Sequence, residues 1–370
     1  MRTAHYNGGR MSLRELRRRI GRLAIVGFSG HTAPDDLRRL VAAFDLGGVI
    51  YFARNIVEPH QVAELSREVA GLAQEWPFWI SVDQEGGRVA RLKSPFTEWP
   101  PARTLGRSGD AALAARFAGA LAAELRAVGI NLDYVPVLDV HTNPANPVIG
   151  DRALAEKAED VARLGAVMIQ TLQQAGISAC GKHFPGHGDT SLDSHEALPM
   201  VEHDRRRLDA VELVPFRRAI AEDVATIMTA HVLVPAIDAD VPVSLSPAGI
   251  SILKHDLGYG GVVISDDLGM KAVSATMPLP DACVAAIAAG CDALLLCNST
   301  VDAQSEALEA LIRAAESGRL TQKRIDDALA RQHKSKVKFL GPRPHQAPIG
   351  LDVIGSAAHQ AVARDMAAWL

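Results

Sequence analysis

Eight short apolar runs, each followed by a segment of helical spacing, constrain this chain more than any other feature. The runs fall at 23–28, 48–52, 78–82, 132–138, 177–183, 226–231, 262–265 and 293–297. The helical segments fall at about 35–44, 60–75, 110–128, 153–175, 205–222, 247–256, 280–290 and 301–317. The runs at 48–52 and 293–297 are apolar throughout, without alternation. Strands buried on both faces, as in parallel sheets, read this way. Eight strand–helix repeats fit a closed barrel, with an open doubly wound sheet as the competing arrangement. The expected fold class is α/β, a single (β/α)8 TIM-like barrel. Helix-start signals agree. Asp35 and Asp36 follow Pro34 in a first turn, and Ser246-Pro247 reads as an N-cap with proline behind it.

The 370 residues leave room for about two average domains, but one barrel absorbs most of them. The expected division is an N-terminal arm and lead-in at 1–19, the barrel at 20–335, and a linker with one helix at 336–370. That last helix, about 352–368, has an amphipathic face for the barrel or for a partner subunit. A monomer is favoured.

Lys and Arg number 39 against 43 Asp and Glu, a formal charge of −4, and aromatics are 5%. Proteins that bind nucleic acid through its phosphates are usually basic and single-strand grooves aromatic, so nucleic acid is not an expected partner. No uncharged apolar run reaches 18 residues and the N-terminus has no apolar h-region, so neither a membrane span nor a secretory signal is expected. Cys180, Cys283, Cys291 and Cys297 form no CxxC pair. They read as buried thiols of a reducing compartment, the cytoplasm.

In a barrel, chemistry sits where strands end. The third run leads into Asp83, Glu85, Arg88 and Arg91, the fourth into Asp139, His141 and Asn143, and the fifth into Lys182 and His183. The sixth ends at His231, the seventh at Asp266 and Asp267, and the eighth at Asn298. The densest stretch runs from Lys182 to His195 and also holds His187, Asp189 and Asp193. Three readings compete for it. It is a metal site, an acid/base site in which Asp193 orients and charge-tunes His195, or a polar loop with a structural role only. HxH after the first strand and HExxH are both absent. Of Asp266 and Asp267, side-chain alternation sends one toward the mouth and the other elsewhere, to a structural or capping role. Asp83, Arg91, Arg152 and Lys182 form either a hydrogen-bonding clamp for a sugar ring or a loop salt-bridge network.

These stretches resemble glycoside hydrolase family 3, specifically its bacterial β-N-acetylglucosaminidase branch. The resemblance rests on Lys182-His183-Phe184-Pro185-Gly186-His187-Gly188-Asp189-Thr190 followed by Asp193-Ser194-His195. In the same order as the family, it extends to Val82-Asp83-Gln84-Glu85-Gly86-Gly87-Arg88-Val89 with Arg91, and to Phe52-Ala53-Arg54-Asn55. Ile149-Gly150-Asp151-Arg152, Met228-Thr229-Ala230-His231 and Ser265-Asp266-Asp267-Leu268 complete it, over roughly 20–335. Gly269 stands where many relatives have Ser, and the tail after about 340 is outside the pattern. Many family members carry a second, sandwich-like domain, for which too few residues remain.

The resemblance implies a retaining, exo-acting enzyme that removes β-linked N-acetylglucosamine from peptidoglycan fragments in cell-wall recycling. Asp266 would be the nucleophile and His195, supported by Asp193, the acid/base. Asp83, Arg91, Arg152, Lys182 and His183 would hold the sugar. No metal and no cofactor are implied. Phosphorolysis by the same site, another family 3 glycosidase, and more distantly a metal-dependent hydrolase using His183, His187 and His195, are the alternatives.

Overall fold

The structure, a computed structural model, describes residues 11–191, 198–341 and 349–370. Eight strands close into a barrel. They are β1 Ala24–Gly27, β2 Gly48–Tyr51, β3 Trp79–Val82, β4 Leu132–Asp133, β5 Ser178–Phe184, β6 Thr226–Thr229, β7 Val262–Asp267 and β8 Ala293–Leu296. Each pairs in parallel with its sequence neighbours, and β8 closes on β1 with Ile25 opposite Leu295.

Both faces of these strands are buried, against two different cores. Ile25, Ile50, Trp79, Leu132, Cys180, Met228, Ile264 and Leu295 fill the barrel interior. Their neighbours Val26, Val49, Ile80, Val263 and Leu294 pack outward under the helices. The alternation is therefore real but invisible as polarity, because both faces are apolar. All four cysteines are buried and free. No helix among the described residues is long and apolar enough to cross a membrane.

Helices follow each strand near the expected positions, and the N-caps are real. Ser12, Asp110, Asp204, Ser246, Thr300 and Thr321 each accept a backbone N–H of the first turn, worth about 1 kcal/mol apiece. Three segments depart from expectation. The regular fourth strand stops at Asp133 rather than 138; Pro136 has no N–H for the ladder, and Val137 makes an isolated bridge to Lys182. The 205–222 segment divides into Arg205–Ala210 and Val214–Ala221, with Pro215 in the second first turn. The 247–256 helix begins as α and ends in a wider turn over Ile252–Asp256.

At the N-terminus, the expected arm and lead-in contains a helix, Leu13–Gly21, that packs on the helices Asp35–Phe44 and Val301–Glu316. Residues 1–10 lie outside the described residues. Helix Gln322–Leu340 runs through the boundary drawn at 335 and plugs the bottom of the barrel. Its polar side chains satisfy carbonyls where the strands begin. Gln332 donates to the Arg22 and Asp292 carbonyls at 2.9 and 2.7 Å. Lys336 donates to those of Gly47 and Pro77 at 2.6 and 2.7 Å, and Arg331 to that of Tyr259 at 2.9 Å. Leu340 packs on the barrel interior. The last helix, Ala357–Ala367, docks on the barrel. Buried Glu124 accepts from Gly355 N at 3.0 Å and pairs with His359 Nδ1 at 2.8 Å, and Arg116 meets Asp365 at 2.7 Å.

Candidate active site

The site grows from the period of two. On β3, Trp79 points into the barrel, so Asp83 four residues on points the same way, into the mouth. On β5 the inward residue Cys180 is followed by Lys182, and on β7 Ile264 is followed by Asp266. These three side chains line one pocket of about 140 Å³ together with Glu85, Arg91, Arg152 and His183. Phe52, Tyr134, Met228, Met270, Leu295 and Cys297 supply its apolar walls. The mix of apolar wall with a few converging polar groups suits a small ligand.

Asp83, Arg91, Arg152 and Lys182 form an ion network beside the pocket, joined by Glu85, a residue after the third run to which the sequence assigns no role. Lys182 Nζ sits 2.8 Å from Asp83 Oδ1 and 2.6 Å from Glu85 Oε1. Arg152 grips Glu85 with Nε and Nη2, both at 2.8 Å. Arg91 reaches Asp83 Oδ2 at 3.4 Å, and its guanidinium lies 5.4 Å from the Phe52 ring centre. Burial opposes charge on both Glu85 and Lys182. The fields of Arg152 and Lys182 nevertheless hold the Glu85 carboxyl far below its usual range, and Asp83 and Glu85 hold the Lys182 ammonium above its usual value. Arg152 comes from a short turn, Gly150–Arg152.

Asp266 and Asp267 separate as alternation requires. Asp267 borders the pocket as well, but its carboxylate ties β7 to the end of β8, accepting from Cys297 N and Gly269 N at 3.1 Å each. Burial pushes its carboxyl up. Asp266 faces the pocket and accepts from the N–H of Asp267 at 2.8 Å. Burial alone would raise its pKa as well. The positive fields of His231, His183 and Lys182, with that N–H, outweigh burial and hold it below the ordinary value. His231 does not line the pocket. Its Nε2 meets the Asp267 carbonyl at 3.0 Å and its Nδ1 the Ser244 hydroxyl at 2.6 Å, so it braces the backbone beside Asp266.

The polar loop after β5 begins on a second anchor the sequence did not single out as such. Buried Asp139 pairs with His183 Nδ1 at 2.7 Å and accepts from His187 N at 2.6 Å. That contact fixes the imidazole of His183 beside the pocket. His187 Nδ1 meets Thr190 Oγ1 at 2.7 Å, and burial lowers its pKa to about 4. Asn146 holds the His187 carbonyl at 2.8 Å. The loop's glycines serve two needs. Gly186 has φ +134°, which side chains rarely adopt. Gly188 lets two backbones touch, since a Cβ there would lie 1.8 Å from the Val140 carbonyl oxygen. Asp193 and His195 lie outside the described residues. Among the described residues, no three His, Cys, Asp or Glu side chains converge as metal ligands.

A closed (β/α)8 barrel with ionised carboxylates and buried cations at its C-terminal mouth defines a barrel enzyme with a polar small-molecule pocket. Comparison with known proteins narrows the class. The glycosyl hydrolase family 3 N-terminal domain matches residues 15–334. Beta-hexosaminidase A of Pseudoalteromonas piscicida is 33% identical over 363 residues, 91% of this chain; the chain spans about 60% of that protein's length. The family 3 β-N-acetylglucosaminidase of Paenibacillus sp. superposes with a TM-score of 0.90 at 42% identity, covering 97% of this chain and 69% of that one. NagZ of Neisseria gonorrhoeae, solved with N-trifluoroacetyl-D-glucosamine, superposes at 0.77 with 29% identity, covering 94% and 97%. The chain belongs to glycosyl hydrolase family 3.

Proposed function

We propose that this protein is a retaining, exo-acting β-N-acetylglucosaminidase that releases N-acetylglucosamine from peptidoglycan fragments. The observation that carries the reading is Asp266. It is an inward carboxylate kept ionised in the same pocket as the Asp83–Lys182–Glu85–Arg152 network. An ionised carboxylate is a nucleophile, and the network offers both acceptors and donors to ring hydroxyls.

In the first step, an Asp266 oxygen bonds to the anomeric carbon as the glycosidic bond breaks. His195 gives its proton to the departing oxygen. In the second step, water attacks the anomeric carbon, His195 takes its proton, and the Asp266 ester bond breaks. The two inversions leave the configuration retained. An imidazole with an ordinary pKa near ~6.5 serves both steps at neutral pH. Asp193, two residues before His195, fixes the tautomer and stabilises the imidazolium. Asp83, Arg91, Arg152, Lys182 and His183 hold the sugar, with His183 oriented by Asp139. The relatives' names and the N-trifluoroacetyl-D-glucosamine bound to the Neisseria protein support the sugar. Fragments of cell-wall recycling, met in the cytoplasm, are the proposed natural substrates.

The test is a screen of nitrophenyl β-N-acetylglucosaminide against the β-glucoside and β-xyloside. Cleavage of the N-acetylglucosaminide alone, with retention seen by NMR, supports the reading. Cleavage of the glucoside alone overturns it.

A further inference from the structure

We infer that Glu85 is a positioning residue that presents Arg152 and Lys182 to the sugar without touching the sugar itself. The inference rests on the pocket being the sugar site proposed above.

Asp83 follows the end of β3 and Glu85 lies two residues on, in the short strand Gln84–Gly86, yet their acceptors are used differently. Glu85 is 3% exposed. Its Oε1 takes Arg152 Nη2 at 2.8 Å and Lys182 Nζ at 2.6 Å, and its Oε2 takes Arg152 Nε at 2.8 Å. These are charge-assisted bonds of the strong kind. They engage both oxygens with protein cations. Asp83 takes Lys182 on Oδ1 at 2.8 Å but has only a long 3.4 Å contact on Oδ2. It is also the more open of the two, at 17% side-chain exposure against 2%. Asp83 therefore keeps more acceptor capacity for a ligand than the buried Glu85, three of whose roughly four acceptor sites are taken.

The donors show the complementary pattern. A guanidinium has five N–H groups in a fixed fork. Glu85 takes one edge of the Arg152 fork, and Nη1 gives one bond to the Val148 carbonyl at 3.2 Å. The N–H groups left over sit on the side away from Glu85. Lys182 has three N–H groups, and two are engaged by Asp83 and Glu85. What Glu85 does is set which donors remain and where they point. It also neutralises the repulsion between two cations that share a nearly dry corner of the pocket. A neutral residue in its place leaves Lys182 with Asp83 as its one carboxylate partner, next to Arg152.

Glu85→Gln preserves shape and removes the charge. With nitrophenyl β-N-acetylglucosaminide, KM rises about 10- to 100-fold, the size expected for charged hydrogen bonds lost at the binding groups, while kcat changes by less than about threefold. The alkaline side of kcat/KM moves to lower pH, because burial now pulls the Lys182 proton off more easily. Glu85→Asp, a shorter carboxylate, recovers part of the KM loss. An unchanged KM and pH profile in Glu85→Gln overturns the inference, even if its melting temperature falls. Should Glu85→Gln not fold by circular dichroism, Glu85→Asp decides alone. A raised KM with near-normal kcat supports the inference, and a wild-type KM overturns it. A mechanism-based 5-fluoro sugar separates this inference from the function reading. Labelling of Asp266 in Glu85→Gln shows the nucleophile intact whichever way KM goes.

Discussion

Lys336 offers a test of how the barrel is closed at its bottom. Its ammonium is 2% exposed and bonds two backbone carbonyls, those of Gly47 and Pro77, with the Trp79 ring 5.6 Å away. No carboxylate touches it among the described residues. Burial is the main cause that lowers its pKa from 10.5 to about 7, against the distant pull of Asp45. The folded value is thus below the unfolded one, so between these limits the unfolded chain binds the extra proton. Stability then rises with pH, from about 7 until near 10.5. One proton is worth about 1.4 kcal/mol per pH unit, so the full span is on the order of 5 kcal/mol. Lys336→Met keeps the volume of the stem and abolishes this term. Urea unfolding at pH 7.5 and pH 9.5 measures the gap between wild type and variant at each pH, and other titrations cancel in the difference. Wild type gains on the variant by about 2–3 kcal/mol over that interval. A gap that does not move with pH refutes the lowering of the Lys336 pKa by burial.

Two further outcomes follow from the site and the tail. Because His231, His183 and Lys182 outweigh burial and hold Asp266 below the ordinary carboxylate range, the acidic limb of kcat/KM lies below the range of a free carboxylate; an acidic midpoint above the ordinary carboxylate value with the protein still folded contradicts this. Glu124→Gln weakens the contact that holds Gly355 and His359 by about 1–3 kcal/mol, so limited proteolysis cuts after Leu340 sooner than in wild type, and an unchanged cleavage rate contradicts the anchor.

What the sequence showed and hid follows from which interactions are local. Strand spacing along the chain is local, so the eight repeats and the barrel were legible. Once strand parity is known, Asp83, Lys182 and Asp266 share the inward face, and the choice between Asp266 and Asp267 follows. Glu85 was in plain view in the same motif but did not stand out, because its partners lie 67 and 97 residues away, at Arg152 and Lys182. His231 at a strand end looked like a mouth residue, yet its ring braces the Asp267 carbonyl. Helix Gln322–Leu340 escaped because the residues it buries include Gln332, Ser335 and Lys336, which no apolar periodicity picks out. They are buried since carbonyls at the strand starts need donors, a demand that exists only once the barrel has closed.

In the proposed reaction Asp266 forms a covalent bond to the sugar. A 5-fluoro-N-acetylglucosaminyl fluoride accumulates the glycosyl-enzyme, and peptide mapping by mass spectrometry locates it. One sugar adduct per chain is expected on the peptide containing Asp266, absent in Asp266→Asn. An adduct on another residue, or none together with inverted product, contradicts it.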